Sequence, residues 1–280
     1  MKKIGFVDYY LGEWHANNYP QWFREASEKL GLDYVVAYAW AEKDVSPVNN
    51  VTTEQWCREQ NVTQCETLEE LCEKSDVIVV LAPSDPDKHL GYAETVLSYG
   101  KRTYIDKTFA PDYQTAQQIF ALGEKTGTPF FSTSALRYAK ELDTFTGADH
   151  LIVAGGGRNF NEYMIHLVEM AVKVLNDPAR RVKVEIMGKQ RLCRVETQNG
   201  KEALLLFSTA GGYSINGELP SGKYEQVAVN SDFFPNLLTE ILRFYETGEA
   251  PFDPQQTLEV MRVRTALLQA EKTPDVWVEL

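Results

Sequence analysis

The stretch Ser75–Ala110, SDVIVVLAPSDPDKHLGYAETVLSYGKRTYIDKTFA, decides the fold. Val77 to Leu81 is an unbroken apolar run rich in β-branched residues, as in a parallel strand covered on both faces. Pro83 and Pro86 stop it. A helical segment follows, and a second short strand, Arg102 to Ile105, carries Lys107 to its C-terminal end. Open α/β sheets bind ligands at that edge. A lysine there is either a surface charge or a working acid.

The same alternation extends to both sides of this stretch. Ile4–Val7 and Tyr34–Ala39 read as strands, separated by a helix over Pro20–Leu30 that Gly31 stops. Thr67-Leu68-Glu69-Glu70 is a capping box opening a short helix. Pro111 begins a helix closed by Gly127, and Phe130–Thr133 is a further strand. This order predicts a Rossmann-type, doubly wound parallel sheet over residues 1–135. The second half, 136–280, changes character. Arg181–Met187, Arg191–Thr197, Ala203–Ser208 and Tyr224–Val229 read as strands without helices between them, and Asn199-Gly200 marks a hairpin. Helices are expected over 162–175, 234–246 and 254–272. The α/β chain therefore reads as a parallel domain followed by an α+β domain with an open, mainly antiparallel sheet.

Composition sets the bounds. The 280 residues are 44% hydrophobic and carry a formal net charge of −12. That charge argues against a nucleic-acid partner and against an anionic membrane surface. No run approaches the ~18 apolar residues of a membrane-crossing helix, and the N-terminus lacks the long apolar region of a signal peptide. The cysteines Cys57, Cys65, Cys72 and Cys193 form no CxxC pair, so reduced, structural thiols and a cytoplasmic location are expected.

The segment around Lys107 resembles the Gfo/Idh/MocA family of nicotinamide-dependent sugar and polyol oxidoreductases. The counterparts of its motifs are Pro83-Ser84, His89, Gly100-Lys101 and Asp106-Lys107-Thr108, where the family carries Glu-Lys-Pro. The order of elements and the ending, from Phe233-Phe234 through Glu246–Pro251 to the closing strand 276–280, extend the resemblance over nearly the whole chain. It implies NAD or NADP as cofactor, a sugar-like or polyol-like small-molecule substrate, and a homodimer or larger homo-oligomer.

On the helix after Asn161, the polar residues Glu162, His166, Glu169 and Lys173 form one stripe on an otherwise apolar surface. The stripe faces either water or a cleft. The resemblance favours the cleft, with His166 towards substrate and Glu162 and Glu169 beside it; Met164 stands where the family has a glycine. Oxidation of a secondary alcohol needs a base for the hydroxyl proton and a cation for the developing alkoxide. Lys107 and His166, one from each domain, supply these types as candidate catalytic residues, with Asp106 as the counter-charge of Lys107. Arg137, at the domain crossing, contacts substrate or pins the domain interface. A metal held by Glu162, His166 and Glu169 is the less favoured reading of the stripe, and no metal is assigned.

The cofactor end departs from expectation. A G-x-G-x-x-G fingerprint should follow the first strand, but the chain reads Asp8-Tyr9-Tyr10-Leu11-Gly12-Glu13-Trp14-His15. Asp8 in the first glycine's place brings a carboxylate towards the pyrophosphate. Two unit charges ~4 Å apart repel by about 1 kcal/mol in water and about 4 at an effective dielectric of 20. Tyr10 blocks the close approach that the second glycine permits. The second strand ends in Trp40 rather than in the acid that binds an adenosine ribose. Two readings stand: a cofactor in an altered pose, contacted by Asp8, Tyr10, Gly12, Trp40, Pro83, Ser84, His89 and Asp106, or a non-catalytic relative that has lost the dinucleotide and binds a small molecule or a partner protein. His15 with Trp14 either lines the cleft or packs the helix start. Gly155-Gly156-Gly157 reads as a tight turn.

Overall fold

A computed structural model describes residues 1–280, which divide into two compact units, Met1–Thr133 with Phe234–Phe252, and Ser134–Phe233 with Asp253–Leu280. In the first unit, β1 (Lys2–Asp8), α1 (Trp14–Leu30), β2 (Tyr34–Ala41), α2 (Thr53–Gln60), β3 (Thr63–Gln64), α3 (Leu68–Lys74), β4 (Val77–Val80), α4 (His89–Val96), β5 (Thr103–Ile105), α5 (Tyr113–Thr126) and β6 (Phe130–Phe131) alternate in sequence. The six strands form a parallel sheet in the order β3-β2-β1-β4-β5-β6. The order reverses between β1 and β4, so the ends of these strands, Asp8 and Leu81–Ala82, flank the switch point where doubly wound sheets take their ligands.

The residues explain the elements. Ile78, Val79 and Val80 of β4 are fully buried, as a central parallel strand demands. Side chains of Thr52, Thr67 and Asp112 cap α2, α3 and α5 by accepting a first-turn N–H, which satisfies donors that the helix cannot. Helix α1 begins at Trp14, ahead of the expected Pro20, and carries that proline inside it. The four cysteines are free and buried. Burial pushes the thiols of Cys57 and Cys72 up to about 12 and that of Cys65 to about 11, so they are un-ionised at neutral pH.

The second unit contains β7 (His150–Gly156), α6 (Phe160–Leu175), β8 (Ala179–Met187), β9 (Gln190–Thr197), β10 (Glu202–Ser208), β11 (Ser214–Glu218) and β12 (Tyr224–Ala228), then α8 (Gln255–Ala270) and β13 (Val278–Glu279). The seven-stranded sheet runs β12-β11-β7-β10-β9-β8-β13. Every neighbour pair is antiparallel except β7 with β10. Helix α7 (Phe233–Thr247) follows this sheet in sequence but packs almost wholly in the first unit. There the Tyr245 hydroxyl donates to Ile78 O at 2.7 Å, and Phe244 meets Phe131 edge-on at 4.9 Å. No helix is long and apolar enough to cross a membrane.

Gly155 and Gly156 end β7 instead of forming a tight turn. A Cβ on Gly155 would lie 2.2 Å from the ring of Tyr213, and one on Gly157 2.1 Å from the ring of Tyr163. The glycines are spacers for two tyrosines.

Candidate active site

At the C-terminal edge of the parallel sheet, β5 delivers Asp106 and Lys107, both buried; the Lys107–Thr108 peptide is cis. Asp106 Oδ1 accepts from the Tyr104 hydroxyl at 3.0 Å and from Lys107 N at 2.8 Å. Its Oδ2 is paired with His15 Nδ1. Burial by itself would raise the Asp106 carboxyl, but His15, Lys107 and these donors outweigh it and hold the group below the usual range. His15, read from the sequence as either cleft-lining or packing, is thus tied to the residue beside Lys107. Its ring stacks on Tyr19 at 5.1 Å, and Trp14 and Phe234 approach it at 5.3 and 5.7 Å.

The loop after β1 is differently furnished. Asp8 is 1% exposed. Its Oδ1 accepts from Tyr9 N at 2.7 Å and from Ala82 N at 3.0 Å, while Oδ2 is buried without a hydrogen-bond partner. Burial first, and the Glu13 carboxylate second, raise the Asp8 carboxyl well above its ordinary value. Glu13 is the N-cap of α1: its carboxylate accepts from His15 N at 2.7 Å and from Ala16 N. Burial raises Glu13 too, against the opposing pull of His15 and the two N–H groups. Gly12 adopts φ +88°, and its carbonyl accepts from Asn49 Nδ2 at 2.9 Å and Asn17 Nδ2 at 3.2 Å.

The remaining cofactor candidates are scattered along this edge. The Tyr9 ring lies under Lys43 and Lys88, 4.9 and 4.7 Å from its centroid, and meets Tyr10 edge-on at 5.9 Å. Trp40 packs edge-on against Tyr92 at 5.8 Å. Glu42, the acid nearest the end of β2, is engaged by Lys88 at 2.5 Å and the Tyr92 hydroxyl at 2.8 Å; these partners hold its carboxyl below the usual range. Pro83 and Ser84 follow β4 at the turn. His89 is fully buried, with Nε2 2.6 Å from Leu81 O and Nδ1 3.0 Å from Phe109 O. Burial lowers its pKa against the pull of both carbonyls. These contacts give His89 the part of a brace between the end of β4 and the chain beyond Lys107.

For the dinucleotide that the resemblance implies, the test is whether a pyrophosphate finds free N–H groups and close backbone. It does not. The His15 and Ala16 N–H groups at the head of α1 are taken by the Glu13 carboxylate, the Ala82 N–H by Asp8, and Gly12 is tied through its carbonyl to two asparagines.

In the second unit, His166 Nδ1 lies 2.7 Å from Ser134 Oγ, and the Tyr163 and Tyr213 rings approach His166 at 5.7 and 5.9 Å. Glu169 accepts from Ser134 N at 3.1 Å and pairs with Arg137 Nε. Arg137 Nη1 donates to Gln256 Oε1 at 2.6 Å, and Lys173 Nζ reaches Arg137 O and Asp143, each at 2.8 Å. The polar stripe on α6 therefore turns onto the segment 134–143. Only Glu162, at the exposed start of the helix, is engaged with Arg158 and Asn159. Ser134 and Gln256 were not singled out from the sequence, and neither belongs to a motif that would betray it.

No family model and no curated protein sequence matches the chain. Solved structures do. A probable dehydrogenase from Thermotoga maritima superposes with a TM-score of 0.79 at 12% identity, covering 99% of this chain and 98% of that one. GenD2 from gentamicin A biosynthesis, solved in complex with NAD, gives 0.78 at 13%, covering 100% and 97%. UDP-N-acetylglucosamine 3-dehydrogenase GnnA from Acidithiobacillus ferrooxidans gives 0.76 at 11%, covering 97% of each. At such identities the likeness is one of fold.

Proposed function

We propose, for a chain that has the fold of the Gfo/Idh/MocA-type dehydrogenases, that it is an oxidoreductase acting on a sugar-like or polyol-like small molecule. The observation that supports this reading is the setting of Lys107. It is a buried lysine at the ligand-binding edge of the sheet, and its neighbour Asp106 is ionised and fixed by His15 and Tyr104. Oxidation of a secondary alcohol removes a hydride from carbon and a proton from oxygen. Lys107 takes or returns that proton. A nicotinamide supplies hydride chemistry in proteins of this fold; the steps assigned here belong to the chain's own residues.

The closed loop at Asp8–Glu13 favours a second reading, a relative that binds a small molecule or a partner protein without redox chemistry. Titration of NADH and NADPH, followed by nicotinamide fluorescence, separates the two. Saturable binding is expected on the first reading, and its absence up to ~1 mM would sink it. With binding in hand, turnover of a panel of inositols and aldohexoses should fall by at least ~100-fold in Lys107→Ala while cofactor affinity stays unchanged. Equal turnover would remove Lys107 from the mechanism.

A further inference from the structure

The N-terminus of a long helix at the switch point of a doubly wound sheet is an anion seat, because its first N–H groups have no partners within the helix. In this chain the seat already holds an anion. Both oxygens of Glu13 are engaged, Oε2 by His15 N at 2.7 Å and Oε1 by Ala16 N. The adjoining strand end adds a second carboxyl, Asp8, which takes the Ala82 N–H at 3.0 Å and leaves Oδ2 buried and unpartnered beside Glu13. The loop between them has little slack: Asn49 and Asn17 hold the Gly12 carbonyl, and a Cβ at Gly12 would already lie 3.2 Å from Asn49.

We infer that Glu13 and Asp8 close the N-terminus of α1 to a diphosphate, and that a nicotinamide carrier is therefore engaged by this chain through its nicotinamide ribose-phosphate end, with the adenylate half adding nothing to affinity. The closure of the seat rests on the fold and the loop alone; engagement through the nicotinamide end rests also on the oxidoreductase reading. A diphosphate entering this seat meets a carboxylate on the donors it needs and a second carboxyl behind it. Like charges at contact distance in a site with little water repel strongly. Burial first, and the Glu13 carboxylate second, already oppose ionisation of Asp8.

ADP-ribose, which has the diphosphate and lacks the nicotinamide, is the direct probe. Calorimetric titration of the full chain should show no saturable binding up to ~1 mM. The double variant Asp8→Gly with Glu13→Gly removes both carboxyls, leaves the His15 and Ala16 N–H groups without a side-chain acceptor and allows close backbone, and should tighten binding by at least ~10-fold. Glu13→Gln keeps the cap but loses the charge, and should gain about threefold; it decides the matter if the double variant does not fold. Micromolar binding of ADP-ribose by the natural chain overturns the inference. So does a folded double variant, or Glu13→Gln in its place, that gains nothing. In a parallel arm, reduced nicotinamide mononucleotide should match NADH in affinity, and an advantage of ~10-fold for NADH would also overturn it. Failure of both nicotinamides to bind defeats the oxidoreductase reading and with it engagement through the nicotinamide end, and the ADP-ribose arm still decides whether the seat is closed to a diphosphate.

Discussion

Asp8 and Asp106 end two strands of one sheet, both 1% exposed, and their carboxyls move in opposite directions. Burial pushes each one up. Asp106 is brought down again by His15, Lys107 and two donors on Oδ1. Asp8 accepts from the Tyr9 and Ala82 N–H groups on one oxygen, and burial and the Glu13 carboxylate outweigh its backbone donors. Depth therefore does not decide whether a buried aspartate is ionised; the sign of what faces it does. The β5 end sets its acid against His15 and Lys107. The β1 end is a crowded pair of acids, as a closed anion seat requires.

The strongest attempt to break this contrast is Asp106→Ala against Asp8→Asn. Asp106→Ala leaves His15 Nδ1, the Tyr104 hydroxyl and Lys107 N without their shared acceptor, and should cost about 3–5 kcal/mol in urea denaturation. Asp8→Asn keeps the Oδ1 acceptor and removes a carboxyl whose ionisation burial and Glu13 oppose, and should cost less than about 1.5 kcal/mol. Equal losses would mean that the two carboxyls do not differ in charge. His15→Gln should fall between them, at about 1–3 kcal/mol, since it removes the Nδ1 contact of Asp106 Oδ2 and offers an amide in its place.

The contrast should also appear as opposite pH dependences. Asp106 has a lowered folded pKa, so its contribution is present above the unfolded value of 3.8 and lost as pH falls through the folded one. Asp8 has a raised folded pKa, so its contribution is full below 3.8 and lost as pH rises towards the folded value. Relative to the natural chain, Asp8→Asn should gain stability as pH climbs from about 4 to neutrality, and Asp106→Asn should regain it as pH drops below about 4. Parallel curves from melts across pH 3 to 8 would contradict the assignment.

The sequence makes one of these strand ends legible and hides the other. The β-branched run of β4 and the short strand before Lys107 announce a parallel sheet and place Lys107 at its edge, because burial on both faces leaves a compositional mark. Asp8 and Tyr10 already spoil the fingerprint as text. The part of Glu13 could not be read. N-caps are recognised through Ser, Thr, Asp and Asn, and glutamate caps only by folding its longer side chain back. Pro20 added to this by marking a helix start that lies further upstream, at Trp14. Ser134 is hidden for a different reason: its contacts with His166 and Glu169 are tertiary, and no local pattern encodes them. The triple glycine misleads as a turn because its partners, Tyr163 and Tyr213, lie elsewhere in the chain.

The smallest expected effect is the most telling about the closed end. Glu13→Ser exchanges an unusual cap for a common one, so α1 keeps an acceptor for its first N–H groups and net stability should change by no more than about 1 kcal/mol. The change falls on Asp8 instead. With the Glu13 charge gone, one of the two causes that raise the Asp8 carboxyl is removed, while burial remains. Carbon-detected NMR titration of the aspartate carboxyls should therefore show Asp8 moving down towards its ordinary value and Asp106 shifting far less, because His15 and Lys107 outweigh Glu13 there. An unmoved Asp8 would mean that burial alone sets its pKa, and that the two acids at the head of α1 do not act as a pair.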